Sequence, residues 1–346
     1  MLYRKVFPRE YLSLCPNESE RKRIVRAEGL VDFVELGRYG GGVLRNERDL
    51  QSLYAHLFPN PNERIPWDRL VEAMGQHDGA QWKEIARLGF HARMHALAAL
   101  REGRVVGISF FKSMRMDCQG YLTGLMYSGV ADRAYAKAAY GIDRVFRGAG
   151  ITDAFYLLSH GITLEDAESD GRKNVFGTIG DCELIGQGLS KEHIRFTKMR
   201  LDIHARHGLL PVMFETGPGC WVTPVVQPSL GNGRVPLVMH MLFKPFSPGF
   251  HVEEGMLELD RELVGKLVRA YIRSYDSLEN EPEAIAFARD AMITRLEAAR
   301  RMMIMHPDAL PDIGTLAGAD PLLRAQIERD FGDLKTHLER VRDALG

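Results

Sequence analysis

The sequence predicts a mixed α/β protein built on one sheet, followed by a region made of helices. Three observations carry this. Two apolar runs at 91–114 hinge on Glu102-Gly103, strand-like runs alternate with helical periodicities from 120 to 245, and strand signals fade beyond Pro248. Continuous or alternating apolar runs mark strands, and apolar residues at steps of three and four mark helices.

Each element follows in order. Residues 1–28 mix short apolar pieces with charges and contain Pro8 and Pro16, which reads as a peripheral arm. LVDFVELGRYGGGVL (30–44) reads as a strand entering a glycine turn. NERDLQSLYAHLF is a helix pattern, with Asn46 as N-cap and Leu50, Leu53, Tyr54, Leu57 and Phe58 on one stripe. Pro59 and Pro61 stop it. PWDRLVEAM, with proline in its first turn, reads as a short helix.

HARMHALAALREGRVVGISFFKSM then reads as a β-hairpin, and GYLTGLMYSGV (120–130) as a third strand. ADRAYAKAAYGIDRVFRGAG reads as a helix ended by Gly148 and Gly150, and ITDAFYLLSH as another strand. A polar stretch fills 161–190, and KEHIRFTKMRLDIHARHG makes a helix closed by Gly208. LLPVMFE, CWVTPVV and VPLVMHMLF supply the last strands.

Residues 253–345 hold three helical patterns. In the last, Asp320 caps and Pro321 takes the first turn. Leu323, Ile327, Phe331, Leu334, Leu338, Val341 and Leu345 then form a narrow stripe. Such a stripe must be buried, in a helical hairpin on the rest of the chain or in a homodimer contact. The run Met302-Met303-Ile304-Met305 reads as buried helix surface.

Composition narrows the function classes. Apolar residues make up 45% of the 346 residues, enough for a sizeable core, and the formal net charge is −1. A protein gripping long nucleic acid needs a basic surplus to neutralise phosphates, and none exists here. No run approaches the ~20 apolar residues of a membrane span, and the charged N-terminus lacks an apolar signal core, so a cytoplasmic protein without membrane contact is expected. Cys15, Cys118, Cys182 and Cys220 form no CxxC pair. His91 and His95 share a face, but no third ligand or HExxH glutamate accompanies them, so no metal is expected. Gly40-Gly41-Gly42 suits a loop near a substrate and lacks a nucleotide-binding pattern around it. Trp67, Trp82 and Trp221 read as core or rim aromatics, and there is no GxSxG elbow.

Three stretches carry a family likeness. Strand 120–130 ends at Val130 and is followed by Arg133-Ala134-Tyr135-Ala136-Lys137-Ala138 at a helix start. Ile203-His204-Ala205-Arg206-His207-Gly208 ends a later helix, and WVTPVVQPSLGNGRVPLVMHMLFKPF provides closing strands. Together these make the chain resemble the GNAT superfamily of N-acetyltransferases. In that family the pattern Arg/Gln-x-x-Gly-x-Gly/Ala binds the coenzyme A pyrophosphate, where small residues admit backbone N–H groups and the helix dipole adds positive potential.

The resemblance implies a GNAT-like, mostly antiparallel sheet flanked by helices over 29–247, an arm at 1–28 and a helical extension at 248–346. It implies transfer of an acyl group, most simply from acetyl-CoA as co-substrate, to a small-molecule amine. Val130, Arg133, Ala136, Lys137 and Ala138 then correspond to the cofactor loop, with Ala136 replacing a glycine. His204 stands where the family often has a tyrosine acting as general acid. Strand 120–130 lacks the family glutamate and carries Tyr121 and Tyr127 instead, so Tyr127 joins His160 and His204 as catalytic candidates. His160 is the preferred base, because histidine titrates near neutral pH and a strand end opens onto a site. Glu165, Asp166 and Glu168 follow it, placed to orient it or to bind a cationic substrate. Donors on a carrier protein or aminoacyl-tRNA, and an inactive partner-binding module, are the alternatives.

Overall fold

The computed structural model describes all residues except 1, 2, 16, 37–46, 59–63, 76–90, 117–119, 173, 229–235, 247–255 and 276–281. Gly40-Gly41-Gly42, Trp82 and Cys118 therefore lie outside the described residues. The chain divides into two compact units, Met1–Phe176 and Gly177–Gly346. The fold class is the expected one: mixed α/β, with antiparallel strand pairs, flanking helices and several C-terminal helices.

The first unit holds β1 (Tyr3–Lys5), β2 (Asp32–Leu36), β3 (His91–Arg101), β4 (Arg104–Met116) and β5 (Gly120–Val130), in that spatial order. Around them lie α1 (Glu18–Glu28), α2 (Glu47–Leu57), α3 (Trp67–Gly75), α4 (Arg133–Tyr140) and α5 (Ile151–Ser169). The β3–β4 hairpin turns as expected, because Glu102 and Gly103 both take positive φ, 53° and 75°. Such turns match the right-handed twist of paired strands.

Two expectations fail here, for one reason. ITDAFYLLSH is not a strand but the first half of α5, a 19-residue helix. It reads as a strand because Ala154, Phe155, Tyr156, Leu157 and Leu158 form an unbroken apolar run. Its sheet side meets β4, where a Cβ on Gly107 would touch the Phe155 ring at 3.2 Å. Its outer side meets residues 8–14, where a Cβ on Gly161 would fall 2.3 Å from the Tyr11 ring. A helix covered on both sides loses its polar face, and with it the 3.6-residue signature. The same contact shows that the N-terminal arm is not peripheral: it forms the layer outside α5, and β1 adds an edge strand. The helix expected across 131–150 ends early, at Gly141, which takes the left-handed φ of 72°.

The second unit holds the rest of β6 (Val175–Cys182), which fell inside the stretch read as polar loop. It also holds β7 (Leu210–Gly217), β8 (Cys220–Val222), β9 (Val225–Gln227), β10 (Leu237–Pro245), β11 (Met256–Glu258) and β12 (Arg301–Met305). Their order is β6-β10-β7-β12-β11, with β8 on β7 and β9 on β10. Its helices are α6 (Lys191–Arg206), α7 (Arg261–Arg273), α8 (Pro282–Ala298), α9 (Ile313–Ala319), α10 (Pro321–Phe331) and α11 (Leu334–Leu345).

Met302-Met303-Ile304-Met305 is buried as expected but as strand β12, hydrogen-bonded between β7 and β11. Four apolar residues in a row suit a strand covered on both faces as well as a helix, and periodicity cannot separate them. The C-terminal stripe breaks at Gly332, with φ 88°, into α10 and α11. Leu323 and Ile327 enter a core with Leu184, Met213, Val238, Met303 and Met305, and Phe331, Leu334, Leu338 and Val341 pack over it. Asp320 caps α10 as expected, its Oδ1 accepting the Leu322 and Leu323 amides.

Candidate functional site

Strand β5 carries the feature that sequence cannot display. Phe110 pairs with Tyr127 and Phe111 with Leu125, so Met126 is an extra residue in β5, a β-bulge. A bulge breaks the ladder locally and re-aims backbone groups. Burial changes there too: residues 120–124 are buried and residues 125–129 are half-buried. Backbone N–H groups at such a place can polarise a carbonyl oxygen.

Tyr127 stands beside the bulge, but its hydroxyl is held by the fold. Its ring lies 5.2 Å from Tyr54 and 5.0 Å from Phe58, and its oxygen accepts the Ile65 N–H at 3.1 Å. Val130 closes the strand, after which the Ala131 N–H donates to Val106 at 2.9 Å.

The helix start at Arg133 is real, and its surroundings disfavour an anion. Asp132 is the N-cap, and its carboxylate accepts the Tyr135 amide at 2.8 Å. His56 lies 3.0 Å from its other oxygen. A negative group already sits on the positive end of the helix. Arg133 and Lys137 both point at Asp143, at 2.5 and 3.2 Å. Their pull holds that carboxyl well below its ordinary value, at about 2. Ala136 is fully buried, so its Cβ meets the interior and not a ligand.

The start of α5 differs from that of α4: its N-cap is a glycine, and its first-turn acid, Asp153, is paired with Arg23 at 2.8 Å. Val145-Phe146-Arg147-Gly148-Ala149-Gly150 leads into it, with glycine at the fourth and sixth places of the pattern and valine at the first. Phe146 is buried and anchors the turn, while Arg144, Arg147 and Gly148 are exposed. Gly148 and Gly150 take φ of 74° and 86°. A Cβ on Gly148 would meet nothing within 4 Å, so that side of the backbone is open. The N-cap, Gly150, offers no side chain to the helix amides. Glycine-x-glycine before a long helix was the available signal; taking the segment after it for a strand concealed it.

His160 lies within α5, not at a strand end. Its position is one residue, about 100° around the helix, from sheet-facing Ser159. The acids that follow it are not in a loop either. Asp166 and Glu165 belong to the packed half of α5. His95 on β3 links Glu35 on β2 to Asp166, with Nδ1 2.8 Å from Glu35 Oε1 and Nε2 2.7 Å from Asp166 Oδ2. Arg93 bonds Asp166 at 2.9 Å, and Arg4 bridges Glu35 and Glu165 at 2.9 and 2.7 Å. Tyr11 donates to Glu165 as well. Burial alone lowers the His95 pKa, but Asp166 and Glu35 outweigh it and raise it. Burial raises Asp166, and His95 and Arg93 outweigh it, leaving the carboxyl well below its ordinary range. Ser113 Oγ lies 3.2 Å from His95 Nε2, yet Ser113, His95, Glu35 and Asp166 are all almost wholly out of water, so this is a structural ion network and not a nucleophile.

His204, on α6, is half-buried. Burial, with Arg200 and His207 nearby, pushes its pKa down to about 3. It is therefore a neutral imidazole at pH 7, with no imidazolium proton to give a leaving thiolate.

No family model matches the chain, and no curated protein matches it. Solved structures do. A GNAT family acetyltransferase from Bacteroides thetaiotaomicron aligns at 14% identity and TM-score 0.34, over 66% of this chain and 93% of its own. A GNAT family acetyltransferase from Elizabethkingia anophelis, solved with acetyl-CoA bound, aligns at 14% identity and TM-score 0.24, over 53% and 91%. A tandem GNAT protein from the clavulanic acid biosynthesis pathway aligns at 13% identity and TM-score 0.30, over 86% of each chain. The chain resembles GNAT acetyltransferases. Against the GNAT pattern quoted above, the turn at 145–150 meets both glycine positions, whereas 133–138 meets neither with glycine.

Proposed function

We propose that this chain is an acyl-CoA-dependent N-acyltransferase, acetyl being the simplest acyl group, acting on a small-molecule amine. The observation that carries it is the bulge at Met126 on the half-buried end of β5, upstream in the same unit of a glycine turn that opens α5. Transfer to an amine needs a polarised carbonyl and a held donor. The backbone N–H groups around Met126 and Tyr127 do the first. The turn at 145–150 does the second: exposed Arg144 and Arg147 attract phosphate, and open Gly148 lets it reach the backbone. Bound there, acyl-CoA would supply the activated thioester. A carrier-protein or tRNA donor was suggested by Ala136, and a buried Ala136 no longer bears on the donor.

Titration of acetyl-CoA by calorimetry tests this in wild type and in Arg144→Ala, Arg147→Ala, Arg133→Ala and Lys137→Ala variants. Binding that weakens in the first two and holds in the last two is expected. The opposite pattern would return the phosphates to α4. A folded wild-type protein that binds no acetyl-CoA would end the acyl-CoA reading.

A further inference from the structure

The deeply buried carboxylates of this protein follow one rule. Glu35 faces Arg4, Asp153 faces Arg23, Asp166 faces Arg93, Glu183 faces Arg200 and Asp320 faces Arg295. The reason is energetic: an anion out of water needs a cation beside it.

Asp181, on β6, differs in both respects. It is half-buried, and among the described residues its side chain meets two tyrosine hydroxyls and no cation. Its neighbours come from the second unit itself. Tyr271, in the last turn of α7, and Tyr275, just past its end, both donate to its Oδ2, the latter at 3.2 Å. The two hydroxyls are 2.8 Å apart, and Gln227 on β9 donates to Tyr275 at 3.4 Å. Tyr271, Tyr275 and Gln227 are each less than a tenth exposed, so the frame is rigid. Both tyrosine hydroxyls converge on Oδ2, and Oδ1 receives no hydrogen bond from a described side chain. Burial raises the Asp181 pKa against the pull of the two hydroxyls, as expected of an anion lacking a cation.

We propose that Asp181, Tyr271 and Tyr275 form an ammonium-binding site, which takes the protonated amino group of a small organic amine. An ammonium N–H at Oδ1 supplies the missing charge beside the two tyrosines, whose rings pack edge to face with centroids 5.3 Å apart. The chemistry selects an N–H donor, whose directed hydrogen bond a carboxylate oxygen accepts. The site stands on the second unit alone; only the identification of its ligand with the acceptor amine rests on the proposed acyl transfer. It also gives α7, in the C-terminal region, a role in ligand binding.

The test is an NMR titration of the full chain with n-butylamine at neutral pH, where it is the ammonium, with N-butylacetamide as the uncharged control. Wild type should bind the amine and not the amide. Asp181→Asn should lose binding by about tenfold or more, and Tyr271→Phe, which keeps the charge, by severalfold. Because Asp181→Asn removes an unpaired anion, its thermal stability should match or exceed wild type, which separates lost binding from lost folding. Equal affinity in Asp181→Asn and wild type, or no amine binding to wild type, overturns the site. Acetyl-CoA titration of the same samples keeps the two readings apart: amine binding without acetyl-CoA binding would end the acyl transfer reading and leave this one standing.

Discussion

His95 and Asp166 form an ion pair of 2.7 Å with each side chain only 1% exposed. Glu35 completes the pair on the other ring nitrogen, and the three side chains tie β2, β3 and α5 together. Asp166→Asn leaves His95 with one carboxylate and removes the charge that Arg93 bonds at 2.9 Å. Loss of one member of a buried pair costs about 3–5 kcal/mol, so urea denaturation should show a drop of that size. A variant within about 0.5 kcal/mol of wild type would mean the network contributes little.

The same pair fixes a pH dependence. The unfolded imidazole titrates near about 6.5, and the folded pKa of His95 is raised above it. Its contribution is therefore fully present below about 6.5 and lost as pH rises through the folded value. Asp166 is depressed, so its contribution is present above about 3.9 and lost as pH falls through its folded value. Wild-type stability should decline on the alkaline side, and the decline should shrink in Asp166→Asn, where His95 is no longer raised as far. Parallel alkaline curves for the two proteins, followed by thermal melts, would contradict this.

Tyr127→Phe should separate the hydroxyl from the bulge. The Ile65 N–H loses its acceptor, which costs about 1–3 kcal/mol of stability, while the ring contacts remain. Backbone N–H groups at Met126 are unchanged, so transfer rates should stay within about threefold of wild type. A fall of a hundredfold would make the hydroxyl itself part of the chemistry.

Gly161 and Tyr11 make a coupled pair. In a helix, alanine is favoured over glycine by about 1 kcal/mol, yet Gly161→Ala puts a Cβ into the Tyr11 ring. The ring must move and release Glu165, so the substitution should destabilise by about 1–3 kcal/mol. In a Tyr11→Ala background the same change should stabilise. A double-mutant cycle with no coupling would show that residues 8–14 are not seated on α5 as described.

His204 is predicted to be silent in the pH profile. With its pKa pushed down to about 3, it does not change charge between about pH 5 and 9. His204→Gln should retain a rate profile parallel to wild type over that range. Loss of one limb in the variant would restore His204 as an acid or base.

Much of the architecture was legible because it is written locally. The Glu102-Gly103 turn and the Asp320-Pro321 helix start each need only a few neighbouring residues, and each stands where it was expected, whereas the stripe that follows is split at Gly332. Where a segment is buried from two sides, local pattern fails. That is why α5 read as a strand and β12 as a helix; residues 1–28 read as an arm because most of their described side chains are exposed or half-buried, although β1 pairs with β2. The site suffered from the same fault: once 151–160 was taken for a strand, Gly148 and Gly150 had no helix to open, and the cofactor loop was sought at Arg133 instead.

The sequence by itself determined the class of fold, the order of most of its elements and the absence of a long apolar span, since propensity, turn chemistry and periodicity act over a few residues. Only the tertiary structure decided the bulge at Met126, the burial of Ala136, the charge state of His204 and the meeting of Asp181 with Tyr271 across 90 residues. Register, burial and electrostatic environment belong to pairs of segments far apart in the chain. They come into being only when those segments pack.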